Sequence, residues 1–135
     1  MGPKGPEPDP ERLLSGHPSD EALPEFNLED VTLKKLVLFT GGLTGAIGPW
    51  GASFSGNLTP HETGTGNWTL ENFKRVMREG KLKGMEDGRP LLPPMPWYNF
   101  AHLSDQDIES IFTYLHTLPP AVSYTHLTLP TTSRV

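Results

Sequence analysis

Residues Gly88–Phe100 read GRPLLPPMPWYNF, and one methionine, Met95, stands among prolines at 93, 94 and 96 with aromatic rings at 97, 98 and 100. Each proline fixes its own φ near about −65° and biases the residue before it away from the helix. The stretch therefore reads as a stiff, extended loop that gives Met95 little freedom. A core methionine is usually a flexible gap-filler on a helix face. The same soft sulfur held on a rigid apolar loop suits a metal ion better than it suits a core.

Helical patterns lie on both sides of this loop. Over residues 70–79, Leu70, Phe73, Val76 and Met77 share one face, Thr69 is placed to cap the start and Gly80 to end the helix. A second helix is expected from about 105 to 117, with Ile108, Ile111, Phe112 and Leu115 as its apolar stripe. Ser104 with Asp107 forms a capping-box pattern, and Pro119-Pro120 ends the run. Upstream, LVLFTGGLTGAI at 36–47 has two apolar runs around Gly41-Gly42, the signal of a short hairpin. Residues 48–68 read as a glycine-punctuated loop, and residues 1–30, rich in proline, glycine and acids, as loop without regular structure.

Composition narrows the function. The 135 residues make at most one domain, and fifteen prolines with fourteen glycines argue for long loops around a few short helices. A net charge of −5, with no basic cluster interleaved with aromatics, speaks against nucleic acid as a partner. The most apolar run, LVLF at 36–39, is far too short for a transmembrane segment. With no cysteine, the chain as written can form no disulfide, iron–sulfur cluster or cysteine-zinc site. No nucleophile–base pair or paired carboxylates stand at a useful spacing, so an enzyme is the least favoured reading.

Four motifs in order, WGASFSGNLTP (50–60), ETGTGNWTLENFKRVMREGK (62–81), GRPLLPPMPW (88–97) and LSDQDIESIFTYLHTLPP (103–120), resemble the C-terminal two-thirds of a bacterial class I c-type cytochrome domain of the dehydrogenase-associated type. The resemblance covers residues 1–121. It implies a mainly α, cytochrome c-like domain, loop-rich with a short β-hairpin and lacking its N-terminal helix. It also implies that Met95, the methionine of the P-P-M-P loop, is the distal metal ligand on a haem iron. A thioether ligand favours ferrous iron and raises the potential, which an electron carrier needs. Pro94 would brace the sulfur. Trp50, Leu58, Trp68, Phe73 and Trp97 read either as a wall for the cofactor or as plain core packing. Arg89 reads either as a partner for a haem propionate or as a solvated loop arginine.

Relatives of this type attach haem c through C-x-x-C-H, and neither the cysteines nor that histidine, the fifth ligand, is in this sequence. The resemblance therefore implies a domain truncated upstream of the motif, with Met1 an internal methionine and the export signal still further back. His17, in an SGHP loop, could chemically serve as a substitute fifth ligand, and the favoured reading is a loop histidine packing near the haem edge. His61, His102 and His116 have no ligand spacing. In LTPHETG, where relatives usually carry an acid after the proline, a local difference is expected. Asn57-Leu-Thr and Asn67-Trp-Thr match the glycosylation triplet accidentally.

The last stretch, VSYTHLTLPTTSRV at 122–135, fits no packing pattern and matches a translated transposase-type sequencing adapter, with Thr132, Ser133 and Arg134 in its variable index. Two readings follow for residues 1–121. One is electron transfer by a haem c domain of the periplasm, with a redox partner protein that is a dehydrogenase or an oxidase. The alternative is a non-haem binding or structural fragment of a cytochrome-like fold.

Overall fold

A computed structural model describes residues 7–23 and 25–122. The expectation that 122–135 derives from an adapter, and that Met1 is internal, thus falls almost wholly outside the described residues. Among the described residues, four α-helices, α1 (Leu28–Leu33), α2 (Leu70–Glu79), α3 (Trp97–Phe100) and α4 (Asp105–Leu115), accompany three strands, β1 (Leu38–Phe39), β2 (Gly45–Gly48) and β3 (Gly51–Phe54).

The two expected helices form where their caps and stripes place them. At α2, the Thr69 hydroxyl accepts from the Asn72 backbone N–H while the Asn72 side chain accepts from that of Thr69, a complete capping box. Gly80 ends the helix at φ 62°, a left-handed position that a glycine occupies without penalty. At α4 the Ser104 hydroxyl accepts from the Asp107 backbone, and the Asp107 carboxylate returns to the Ser104 hydroxyl rather than to its N–H, so the box is only half formed. The helix stops at Leu115, two residues short of the expected end, because Thr117 N–H turns back to Tyr114 and Leu118 N–H to Leu115 in a tighter closing turn. Phe73, Met77, Ile108, Leu115 and Leu118 bury together between α2 and α4, with Leu13, Leu58, Trp68, Phe100 and Leu103 packed half-buried around them.

Three expectations are corrected. The hairpin is a three-stranded antiparallel sheet in the order β1-β2-β3, with Ala46 opposite Ser53 and Leu38 opposite Ile47. Its third strand occupies Gly51–Phe54, inside the stretch read as loop, and turns tightly through Pro49-Trp50 to Gly51 at φ 107°. Residues 1–30 are not all loop. Asn27 caps α1 by accepting from Glu29 N–H at 2.9 Å and Asp30 N–H at 3.5 Å, and Val31 is buried. Finally, the aromatic residues Trp97, Tyr98 and Phe100 belong to the short helix α3, which packs against α2 rather than continuing the loop.

Charge joins the helices at the surface. Arg78 of α2 donates to the Ala101 carbonyl and, at 2.9 Å, to the Asp105 carboxylate at the start of α4, with Lys74 4.0 Å from the same carboxylate. The Arg78 hydrogen bond first, and then the charge of Lys74, hold the Asp105 pKa below its ordinary value. Because the folded pKa is the lower one, this contribution is complete above the ordinary aspartate range and disappears as pH falls through the folded pKa. The thermal midpoint of the native chain is therefore expected to exceed that of Asp105→Asn near neutrality and to converge with it in acid. A difference that persists undiminished at acid pH contradicts the ion pair.

Candidate functional site

The Met95 loop is prepared by the turn that follows α2. Leu82 N–H donates to the Arg89 carbonyl at 2.9 Å and Leu91 N–H to the Gly80 carbonyl at 2.7 Å, so residues 81–90 form a closed spur. Gly84, at φ 61°, sits on the backbone of Asn72, and its carbonyl accepts from the Arg75 guanidinium at 2.7 Å and the Asn72 amide at 3.3 Å. The loop then leaves α2 in a fixed direction. It is not extended throughout, as expected from its prolines. Met95 N–H donates back to the Leu92 carbonyl at 3.2 Å, closing a turn that contains a cis Pro93–Pro94 peptide bond. Asn99 N–H bonds the Pro96 carbonyl at 3.0 Å and begins α3.

Two aromatic side chains flank this turn for identifiable reasons. The Trp97 indole lies against Gly80, where an added Cβ would approach the ring to 2.3 Å. The Trp50 ring lies on Gly48, where an added Cβ would come within 2.1 Å. The indole N–H of Trp50 donates to Ser53 Oγ at 3.3 Å, and the Ser53 hydroxyl donates to the Pro93 carbonyl at 2.5 Å, which ties the loop to β3. Met95, Trp50 and Trp97 all remain half-buried, and Pro94 is exposed. The other candidates are placed elsewhere: Leu58, Trp68 and Phe73 belong to the cluster between α2 and α4. Arg89 is half-buried and donates to the Pro90 carbonyl at 2.9 Å.

The histidines separate clearly. His17 is 2% exposed, packs on Phe54 with ring centroids 4.8 Å apart, and has Nδ1 2.9 Å from the Thr44 hydroxyl and Nε2 3.2 Å from the Glu21 carbonyl. Both ring nitrogens are engaged, so His17 is a packing and hydrogen-bonding residue of the sheet and not a metal ligand here. His116 is half-buried at the end of α4, edge-on to Phe112, with Nε2 3.2 Å from the Thr65 carbonyl. His61 Nδ1 lies 2.9 Å from the Thr63 hydroxyl, and His102 is exposed. Among the described residues no three His, Cys, Asp or Glu side chains gather to hold a metal ion. A shallow depression on α4, lined by Gln106, Glu109, Ser110, Thr113 and Tyr114, includes none of the candidates.

Sequence reasoning passed over two organising residues. Ser53 is one. Asn57 is the other: buried, it accepts from Thr59 N–H at 2.9 Å and donates to the Thr63 hydroxyl at 3.1 Å and the Ala121 carbonyl at 2.7 Å. It thereby joins the Leu58 loop to the segment after α4, and its burial agrees with an accidental glycosylation triplet. An asparagine before Leu-Thr-Pro was the available signal, since its side chain readily bonds the backbone two residues on.

The arrangement fits one side of a haem site: one soft sulfur on a fixed turn, with half-buried Trp50 linked to that turn through Ser53 and half-buried Trp97 two residues further along the chain. It does not supply the other side, because the sequence has no thiol and its buried imidazole is occupied.

Similarity to known proteins points the same way. The chain is 40% identical over 84 residues to the cytochrome c subunit of the quinone alcohol dehydrogenase of Gluconobacter oxydans, a match covering 61% of this chain and 17% of the relative. It is 38% identical over 80 residues to the fructose dehydrogenase cytochrome subunit of Gluconobacter japonicus, covering 58% and 16%. It is 40% identical over 73 residues to a nicotinate dehydrogenase subunit of Pseudomonas putida, covering 53% and 6%. The chain thus spans less than a fifth of the length of each of these relatives. No protein-family model matches it. The similarity supports a cytochrome c domain, and the relatives named as cytochrome subunits are electron carriers rather than catalysts. Among the described residues no helix is long and apolar enough to cross a membrane.

Proposed function

We propose that residues 1–121 are part of a haem c electron-transfer domain of cytochrome c-like fold, and that Met95 provides the distal ligand. The observation that carries this reading is the Met95 turn, secured to α2 through Leu91, to β3 through Pro93 and to α3 through Pro96, with its sulfur-bearing side chain half-buried. The haem would supply a one-electron redox centre. This chain's own residues would present the sulfur, exclude water from that side with Trp50 and Trp97, and keep the ligand in place as the charge on the iron changes. Pro94 is exposed at the turn, and Arg89 is half-buried on the spur before it.

The cysteines and the fifth-ligand histidine would come from outside these residues, which makes the chain one piece of a longer domain. By analogy with the dehydrogenase subunits it resembles, the whole protein would take electrons from a periplasmic dehydrogenase and pass them to a respiratory chain, and would not itself be an enzyme. The test is to express these residues together with the reading frame that precedes them in a host that attaches haem c. The expected result is haem that stays on the polypeptide through denaturing electrophoresis. A polypeptide free of haem would favour the non-haem scaffold instead.

A further inference from the structure

We propose that Ser53 is a positioning residue for the Met95 sulfur, acting through the carbonyl of Pro93. The inference rests on the proposed haem function and extends it to a residue outside the ligand set. Between Pro93 and Pro96 three of the four residues are prolines and have no N–H to donate. Such a segment can be tied to the rest of the protein mainly by donors that reach its carbonyls. Ser53 is such a donor. Its backbone is fixed in β3 opposite Ala46, it is 1% exposed, and its hydroxyl meets the Pro93 carbonyl at 2.5 Å, the short end of the range for O–H···O bonds.

Burial leaves the hydroxyl little water to turn to, so the bond persists where an exposed serine would exchange partners. The Trp50 indole N–H donates to the same oxygen at 3.3 Å, a longer contact that orients the hydroxyl and polarises it toward Pro93. Gly48 makes this possible, since its missing side chain is where the Trp50 ring lies. The line Trp50, Ser53, Pro93 thus ends two residues before the sulfur and two residues after the Leu91 anchor to α2. Losing it would let the turn swing about Leu91 and carry the sulfur with it.

The experiment compares the haem-loaded polypeptide with Ser53→Ala and with Leu115→Ala, which weakens the core cluster between α2 and α4. Two quantities are read: the exchange rate of the Met95 amide, and the pH at which the far-red sulfur-to-ferric-iron absorption is lost. Ser53→Ala is expected to speed Met95 exchange about tenfold and to move the loss of the band about one unit toward lower pH, with haem still attached. Leu115→Ala is expected to leave the pH of that loss unchanged. Equal behaviour of the two variants, or no change in Ser53→Ala, overturns the proposal. Met95→Ala in parallel separates this failure from that of the haem reading: if the band survives Met95→Ala, the ligand assignment itself is wrong, and the positioning role falls with it.

Discussion

Met95→Ala, made in the haem-loaded polypeptide, is expected to abolish the far-red charge-transfer absorption and to lower the midpoint potential by on the order of 0.1 V or more, within the roughly 0.8 V that axial-ligand choice spans. The reason lies in the ligand's softness. A thioether donates weakly to ferric iron and stabilises the ferrous form, so replacing it by water or a harder donor favours oxidation. Covalent attachment would be unaffected, because no atom of Met95 takes part in it. Met77, buried between α2 and α4, and Met85, exposed on the spur, are the internal controls. Their replacement by alanine is expected to leave the band in place, although Met77→Ala would lower stability through the cavity it opens. A band that survives Met95→Ala and vanishes in Met85→Ala would transfer the ligand role to the exposed methionine of the spur.

Gly84→Ala is expected to destabilise the folded chain by about 2–5 kcal/mol, the sum of left-handed backbone strain and overpacking. Gly84 has φ 61°, and an added Cβ would stand 1.8 Å from the Asn72 carbonyl oxygen, a backbone atom that cannot rotate away. To relieve the clash the spur must lift from α2, which strains the bonds from Arg75 and Asn72 to the Gly84 carbonyl. Since the same spur launches the Met95 loop, the pH at which the far-red band is lost should fall as well. Gly41→Ala is the matched control: nothing lies within 4 Å of its added Cβ, and a change within about 0.5 kcal/mol is expected in the denaturation midpoint. Equal midpoints for the two variants would mean that the spur is not packed on α2.

The parts of the fold that were legible in the sequence are those with a long enough period. Ten residues of α2 and eleven of α4 repeat their apolar positions often enough to be recognised, and Thr69, Gly80 and Ser104 mark their ends. The six residues of α1 bury Val31 and leave Leu33 80% exposed, so they carry no readable stripe. Only Asn27 followed by Glu29 and Asp30 signalled a helix start there. Strand β3 was hidden by its composition, since Gly-Ala-Ser-Phe has little β propensity and its neighbour β2 is buried at every position, which removes the alternation that marks a strand. Four-residue α3 follows a proline and is too short for any periodicity.

At the candidate site the sequence showed that Met95 stands on a constrained loop because prolines state their backbone constraint locally. It could not show which aromatic residues pack next to that turn. Trp68 and Phe73 look as suitable as Trp50 and Trp97 until the packing of α2 on α4 claims them. Nor could it single out Ser53, whose role depends on a carbonyl forty positions away in the chain. Serine carries no long-range signal. His17 shows the converse: a histidine in a family-like loop suggested a ligand, and its two hydrogen bonds and the Phe54 ring assign it to the sheet.

The central claim, that these residues belong to a haem-bearing electron carrier, is tested most directly by a potentiometric titration of the polypeptide extended through its preceding reading frame and followed by its visible spectrum. The predicted result is covalently held haem that passes through a reversible one-electron wave and recovers the far-red sulfur band on each reoxidation. A polypeptide that takes up no haem, or one whose haem shows no sulfur band in the oxidised state, would contradict it.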